Sequence, residues 1–157
     1  MDLAKPQLDV CLFTNQRDAQ LQFWQHSAGL AYDHMGKLGG GMQQHRHHAH
    51  GSIVKVNHAR DPLPALPPSG LAGLRIVRDG LTAPQPLSDP DGNRVLLVPP
   101  GDQGVEGIAV ELVVGNRDAH DHFWRHVMQC ERVAPGAYRC GTSLVLVVGE
   151  QPVARAD

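Results

Sequence analysis

Four histidines fall within six residues, His45, His47, His48 and His50 in the stretch HRHHAH, and His58 follows. Imidazole can ligate a metal, donate or accept a hydrogen bond, or move a proton near neutral pH, so this cluster is where chemistry is first sought. Side chains alternate along an extended strand, which sets His48 and His50 on one face and His45 and His47 on the other. Two histidines per face fall short of a closed metal centre, and Asp9 or another residue would have to supply a third ligand. Two other uses stay open: hydrogen bonding to a bound ligand, or exposure on a strand with no ligand at all. His122 and His126 stand one helical turn apart with no third ligand nearby in sequence, and read as a helix flank.

A lysine is the sharper clue. Residues 52–58 (SIVKVNH) alternate, sending Val54 and Val56 to one face and Ile53, Lys55 and Asn57 to the other. One face suits a helix, and the other carries an ammonium and an amide toward something else. An inward charge on a strand is costly unless compensated, here by Asp9 across the sheet or by an anionic ligand. Arg75, on the next strand in sequence, could join Lys55.

The elements that position these groups are duplicated. Residues 17–26 (RDAQLQFWQH) and 117–126 (RDAHDHFWRH) match at six of ten positions at an offset of one hundred. Each copy follows an apolar strand, 8–14 (LDVCLFT) and 108–114 (IAVELVV), and leads into a β-rich region. The repeating unit is strand, helix, strands, and neither copy alone can bury its helix and a whole sheet face. Asn15 is placed to cap the first helix and Gly29 to stop it. Ala19, Phe23 and Leu30 share its inward stripe, with Trp24 on the shoulder, and Phe23 and Phe123 are expected to point into a sheet. Gly39, Gly40 and Gly41 separate two strands, 61–70 (DPLPALPPSG) reads as an extended connection, and 73–77 and 94–98 as strands. The turn 88–92 (SDPDG) feeds the last of these.

Composition narrows the function. The chain has 157 residues, 41% of them hydrophobic, and a net charge of -2 with no basic run, so the footprint of a nucleic-acid binder is missing. No apolar run reaches membrane-spanning length, and no Ser-His-Asp order, P-loop or GxGxxG supports hydrolase, nucleotide or dinucleotide chemistry. Three cysteines without CxxC spacing, Cys11 and Cys130 at inward positions, fit free thiols and a cytoplasmic location.

Strand, helix with an internal Phe-Trp, β-meander, and then Asp89-Pro90-Asp91-Gly92-Asn93 opening a final strand resemble the glyoxalase, bleomycin-resistance and extradiol-dioxygenase superfamily, the vicinal oxygen chelate fold. The resemblance covers nearly the whole chain. It implies an α+β fold of βαβββ modules whose curved mixed sheets surround a cavity. Residues 1–101 would form a first domain whose second module lacks its helix and keeps two strands. Residues 102–157 would begin a second, truncated domain, so the chain would be an N-terminal part of a longer two-domain member unless a partner subunit completes the sheet. A homodimer is expected, paired or packed through strands near 142–148, which would otherwise leave an open edge.

Metal-dependent members of that family carry ligands on the first and last strands of their modules. The matching positions here are Asp9, Lys55, Gly73, Leu96 and Ala109. A lysine ammonium has no lone pair to offer, so the family's metal site is expected to be lost, with a Lys55–Asp9 ion pair or an anionic ligand in its place. The resemblance then implies a bleomycin-resistance-like protein that binds a small organic ligand, an anion among the candidates, through Asp9, Lys55, Asn57, Arg75, His48 and His50, with no cofactor. The alternative is a lyase, isomerase or dioxygenase relative using a divalent metal at a non-standard histidine site.

Overall fold

The computed structural model describes residues 5–65 and 69–151. β1 (Val10–Thr14), β2 (Ala31–Gly39), β3 (Met42–Ala49) and β4 (Ser52–Ala59) form a four-stranded sheet in the order β1-β4-β3-β2. A second sheet of seven strands takes β5 (Leu71–Val77), β6 (Gln85–Ser88), β7 (Arg94–Val98), β8 (Ile108–Val114), β9 (Glu131–Ala134), β10 (Ala137–Cys140) and β11 (Ser143–Glu150) in the order β6-β7-β5-β8-β11-β10-β9. Each βαβββ unit places its first and last strands side by side and parallel, β1 with β4 and β8 with β11. Parallel neighbours require a crossover, which begins with a helix in both units: α1 (Arg17–Gln22) and α2 (Arg117–His122).

The hundred-residue offset holds down to single hydrogen bonds. Both helices end in one π-helical turn, Phe23–Ser27 and Phe123–Val127. The Ala28 and Met128 amides donate to the Phe23 and Phe123 carbonyls, and those of Leu30 and Cys130 donate to Trp24 and Trp124, all at 2.9 Å. In both copies the Phe and Trp rings meet edge to face at 5.1 Å. The left-handed exit from the helix uses Gly29 (φ 71) in the first copy, whereas Gln129 (φ 56) takes it against its Cβ in the second.

Packing differs between the copies. α1 lies between the sheets, where Phe23 and Trp24 share one core with Val10, Leu12, Val54 and Val56 on one side and Leu74, Ile76, Val95 and Leu97 on the other. The inward stripe therefore runs through Gln20, Phe23 and Trp24, while Ala19 is exposed. Trp24 sits at its centre rather than its shoulder. α2 covers only the second sheet, with Trp124 stacked on Tyr138 at 6.3 Å. Phe23 is buried as expected, but Phe123 remains 40% exposed because no second sheet closes over it.

Four further expectations need correction. Asn15 caps no helix: its amide donates to the Ala59 and Asp61 carbonyls, and Asn116 is the residue that caps, accepting from the Ala119 amide at 2.8 Å. The helix-less module keeps three strands, because β6 adds antiparallel to β7. Residues 143–150 do not form an open edge, since β11 lies between β8 and β10 and the hairpin of β9 and β10 supplies the edge instead. Cys11 is exposed, because it points away from the helix-covered face that holds Val10 and Leu12.

Candidate functional site

The face of the first sheet opposite α1 gathers most of the chemistry. β1 buries Val10, Leu12 and Thr14 toward the helix and leaves Cys11 and Phe13 on the other side, Phe13 56% exposed. In register, Cys11 stands opposite Lys55 and Phe13 opposite Asn57 on β4, and on β3 Arg46 stands opposite Lys55 and Gln44 opposite Asn57. This face thus carries Asp9, Lys55, Gln44, Arg46, His48 and a buried Asn57, with an exposed phenyl ring on its edge strand.

Lys55 Nζ lies 2.9 Å from Asp9 Oδ2, so the expected ion pair forms. Asp9 Oδ1 also takes the Lys5 ammonium and accepts from the Ile53 amide at 2.9 Å. Burial works against the Asp9 charge, but the Lys5, Lys55 and Ile53 hydrogen bonds together outweigh it and hold its pKa at about 2. Gln44 Nε2 donates to Asn57 Oδ1 at 3.1 Å. Arg46 is less well matched. Among the described residues its ion-pair partner is Asp33, 3.7 Å from Nε, and that nitrogen makes no hydrogen bond. His48 Nε2 approaches the same carboxylate at 3.8 Å.

The other residues expected at the site go elsewhere. His50 is not on a strand beside His48; it sits in the β3–β4 turn at φ 53, and its Nε2 lies 2.7 Å from the Val77 carbonyl oxygen, joining the two sheets. Arg75 belongs to the second sheet, where its Nε donates to Glu111 Oε1 at 2.7 Å. Glu111 was missed in the sequence, although it is the lone charge in an otherwise apolar strand (IAVELVV) and lies two residues from Ala109 on the same face. A divalent cation does not fit the family positions: Lys55 stands at one, Gly73, Leu96 and Ala109 offer no side-chain ligand, and both Asp9 oxygens hold ammonium groups. Among the described residues no three His, Cys, Asp or Glu side chains are grouped to hold a metal.

His45 and His47 pair with Val56 and Val54 and so point to the helix side, where both are buried. The Tyr32 ring lies 5.4 Å from the imidazole of His47. Burial pushes the His47 pKa down to about 4, against an opposing pull from the Val54 backbone and with help from His45. His45 is also lowered, by burial first and then by Arg17 and His58. A pKa below the unfolded value of about 6.5 means the unfolded chain binds the proton more readily. The His47 contribution is therefore complete above that value and lost as pH falls toward 4. Stability is expected to fall by about 2 kcal/mol between about pH 7 and pH 5 from His47 alone. Urea midpoints at both pH values should show a smaller drop for His47→Leu, and an equal drop in the variant would refute the assignment.

No family model and no curated protein matches the sequence. Among solved structures, the chain is similar to the crystal structure of a "putative dioxygenase" from Bacillus subtilis subsp. subtilis str. 168, with TM-score 0.68 and 13% identity. The match covers 94% of this chain, which spans only 64% of that protein's length. At this identity the likeness shows the fold: α+β, built from βαβββ modules of the glyoxalase/bleomycin-resistance type, with one module lacking its helix. No described helix is long and apolar enough to cross a membrane.

Proposed function

We propose that this chain binds a small organic anion on the face of the first sheet that carries Asp9, Lys55, Asn57, Arg46 and His48, without the family's metal. One observation carries the reading: Arg46 and Lys55 are directly opposed across β3 and β4. Like charges in that relation are destabilising by themselves. Asp9 satisfies Lys55 from one side, while the Arg46 guanidinium has one hydrogen bond, from Nη1 to Gln44 Oε1 at 3.2 Å, a distant carboxylate and a buried, unbonded Nε. A ligand carboxylate between the two cations would take bidentate hydrogen bonds from Arg46 and the charge of Lys55, and its apolar body would lie against Phe13. Binding of the bleomycin-resistance kind needs a cavity but no metal.

Melting temperatures with and without phenylacetate, benzoate and the neutral phenylacetamide test this. The carboxylates should raise the midpoint in proportion to their concentration over Kd, less so at high salt, and the amide should not. Arg46→Met and Lys55→Met should each abolish the shift. An equal shift from the amide, a shift retained in both variants, or none with either carboxylate overturns the reading.

A further inference from the structure

Cys130 and Cys140 bring their Sγ atoms to 2.8 Å. Cys130 follows the π-helical turn after α2, its amide held by the Trp124 carbonyl, and Cys140 ends β10 opposite Ser143. Both pack in one cluster with Tyr138, Val145, Val147 and Trp124. The approach is not inherited from the duplication, because the equivalent positions of the first copy hold Leu30 and, by strand register, Ala49. A bonded pair would sit at about 2.05 Å, so closing the gap requires a shift of under about 1 Å along a hairpin at the sheet edge.

We propose that Cys130 and Cys140 are a redox-active dithiol that closes to an intrachain disulfide and staples the end of α2 to the β10–β11 hairpin. Cys130, half-buried, is the attacking thiol; Cys140 is buried, and burial together with its contact to Cys130 raises its pKa to about 12. With a small-molecule disulfide such as oxidised glutathione, the Cys130 thiolate forms a mixed disulfide and releases one glutathione thiolate. Cys140 then attacks Cys130 Sγ, giving up its proton as it does so, and displaces the second glutathione. The protein loses two protons and two electrons, and the oxidant is reduced to two thiols that take the protons up. Cys11, exposed on the other sheet, has no part in this.

Incubating the purified chain with oxidised glutathione, alkylating it after denaturation and weighing it intact and as peptides tests the proposal. The expected product has lost the mass of two hydrogens and carries a 130–140 cross-link, with Cys11 left to alkylation or capped by glutathione. Its melting midpoint should rise by about 5 °C, and a thiol reductant should reverse this. Cys140→Ser should trap glutathione on Cys130, because the second displacement has lost its nucleophile. Persistent glutathione on Cys130 in the unmutated chain, or a cross-link from Cys11 to either cysteine, overturns the proposal.

Discussion

Trp24→Ala is expected to cost about 4 kcal/mol of folding stability and Trp124→Ala no more than about 2, although the two residues occupy equivalent places in the repeat. Trp24 is fully buried between the sheets, and its indole N–H donates to Gln20 Oε1 at 2.7 Å. The Gln20 amide in turn donates to Asp89 at 3.0 Å and Asp91 at 2.7 Å, tying α1 to the DPDGN turn. Removing the ring leaves a cavity and strands a buried carbonyl oxygen that nothing else satisfies. Around Trp124 the second copy lacks this network: its Nε1 and His120 Nδ1 find no partner among the described residues, and the ring is only half-buried. Trp124→Phe should therefore be close to neutral, since it deletes an unsatisfied donor, while Trp24→Phe should still cost about 1–3 kcal/mol. Urea unfolding followed by circular dichroism measures all four variants. Equal losses at the two sites would mean that the second copy is buried as the first is.

The same network shows why part of the fold was legible in the sequence and part was not. Alternation over 52–58 and the hundred-residue offset are local patterns, and they yielded β4, both helices and the placing of Lys55 and Asn57 opposite Val54 and Val56. Nothing local marks Gln20 as buried, because its partners, Asp89 and Asp91, arrive from about seventy positions away in a turn of the other sheet. The histidines failed similarly. Alternation separated His45 and His47 from His48, but not which set meets the helix, and a turn removed His50 from the strand. β9 and β10 are four residues each, too short for a periodic signal, so the covered edge of β11 was read as open. The Asp9–Lys55 pair was legible from the cost of an inward charge on 52–58, and the family resemblance set both residues at its metal positions. Arg46 was not, because its significance lies in cross-strand register.

Glu111→Ala should destabilise the protein by about 3–5 kcal/mol, the second large effect, because it leaves a guanidinium buried with one neutral partner. Arg75 Nε donates to Glu111 Oε1 at 2.7 Å, and both side chains are largely buried, at 15% and 11% exposure. The approach depends on a bare backbone beside it: a Cβ on Gly73 would stand 2.9 Å from Glu111 Oε2, so Gly73→Ala should also destabilise. Gln103, held at φ 47, accepts from the guanidinium Nη1 and completes the arrangement. The double variant Arg75→Met/Glu111→Leu should recover most of the loss, since it removes both charges together, and a double-mutant cycle from denaturant midpoints measures the coupling. A loss below about 1 kcal/mol for Glu111→Ala would show a solvated pair with spare charge. The contrast between the sheets depends on this result. Arg75 holds a carboxylate at 2.7 Å on its Nε and serves stability, whereas the nearest carboxylate to the Arg46 Nε stands at 3.7 Å, and the anion proposed for the first sheet would supply a closer one.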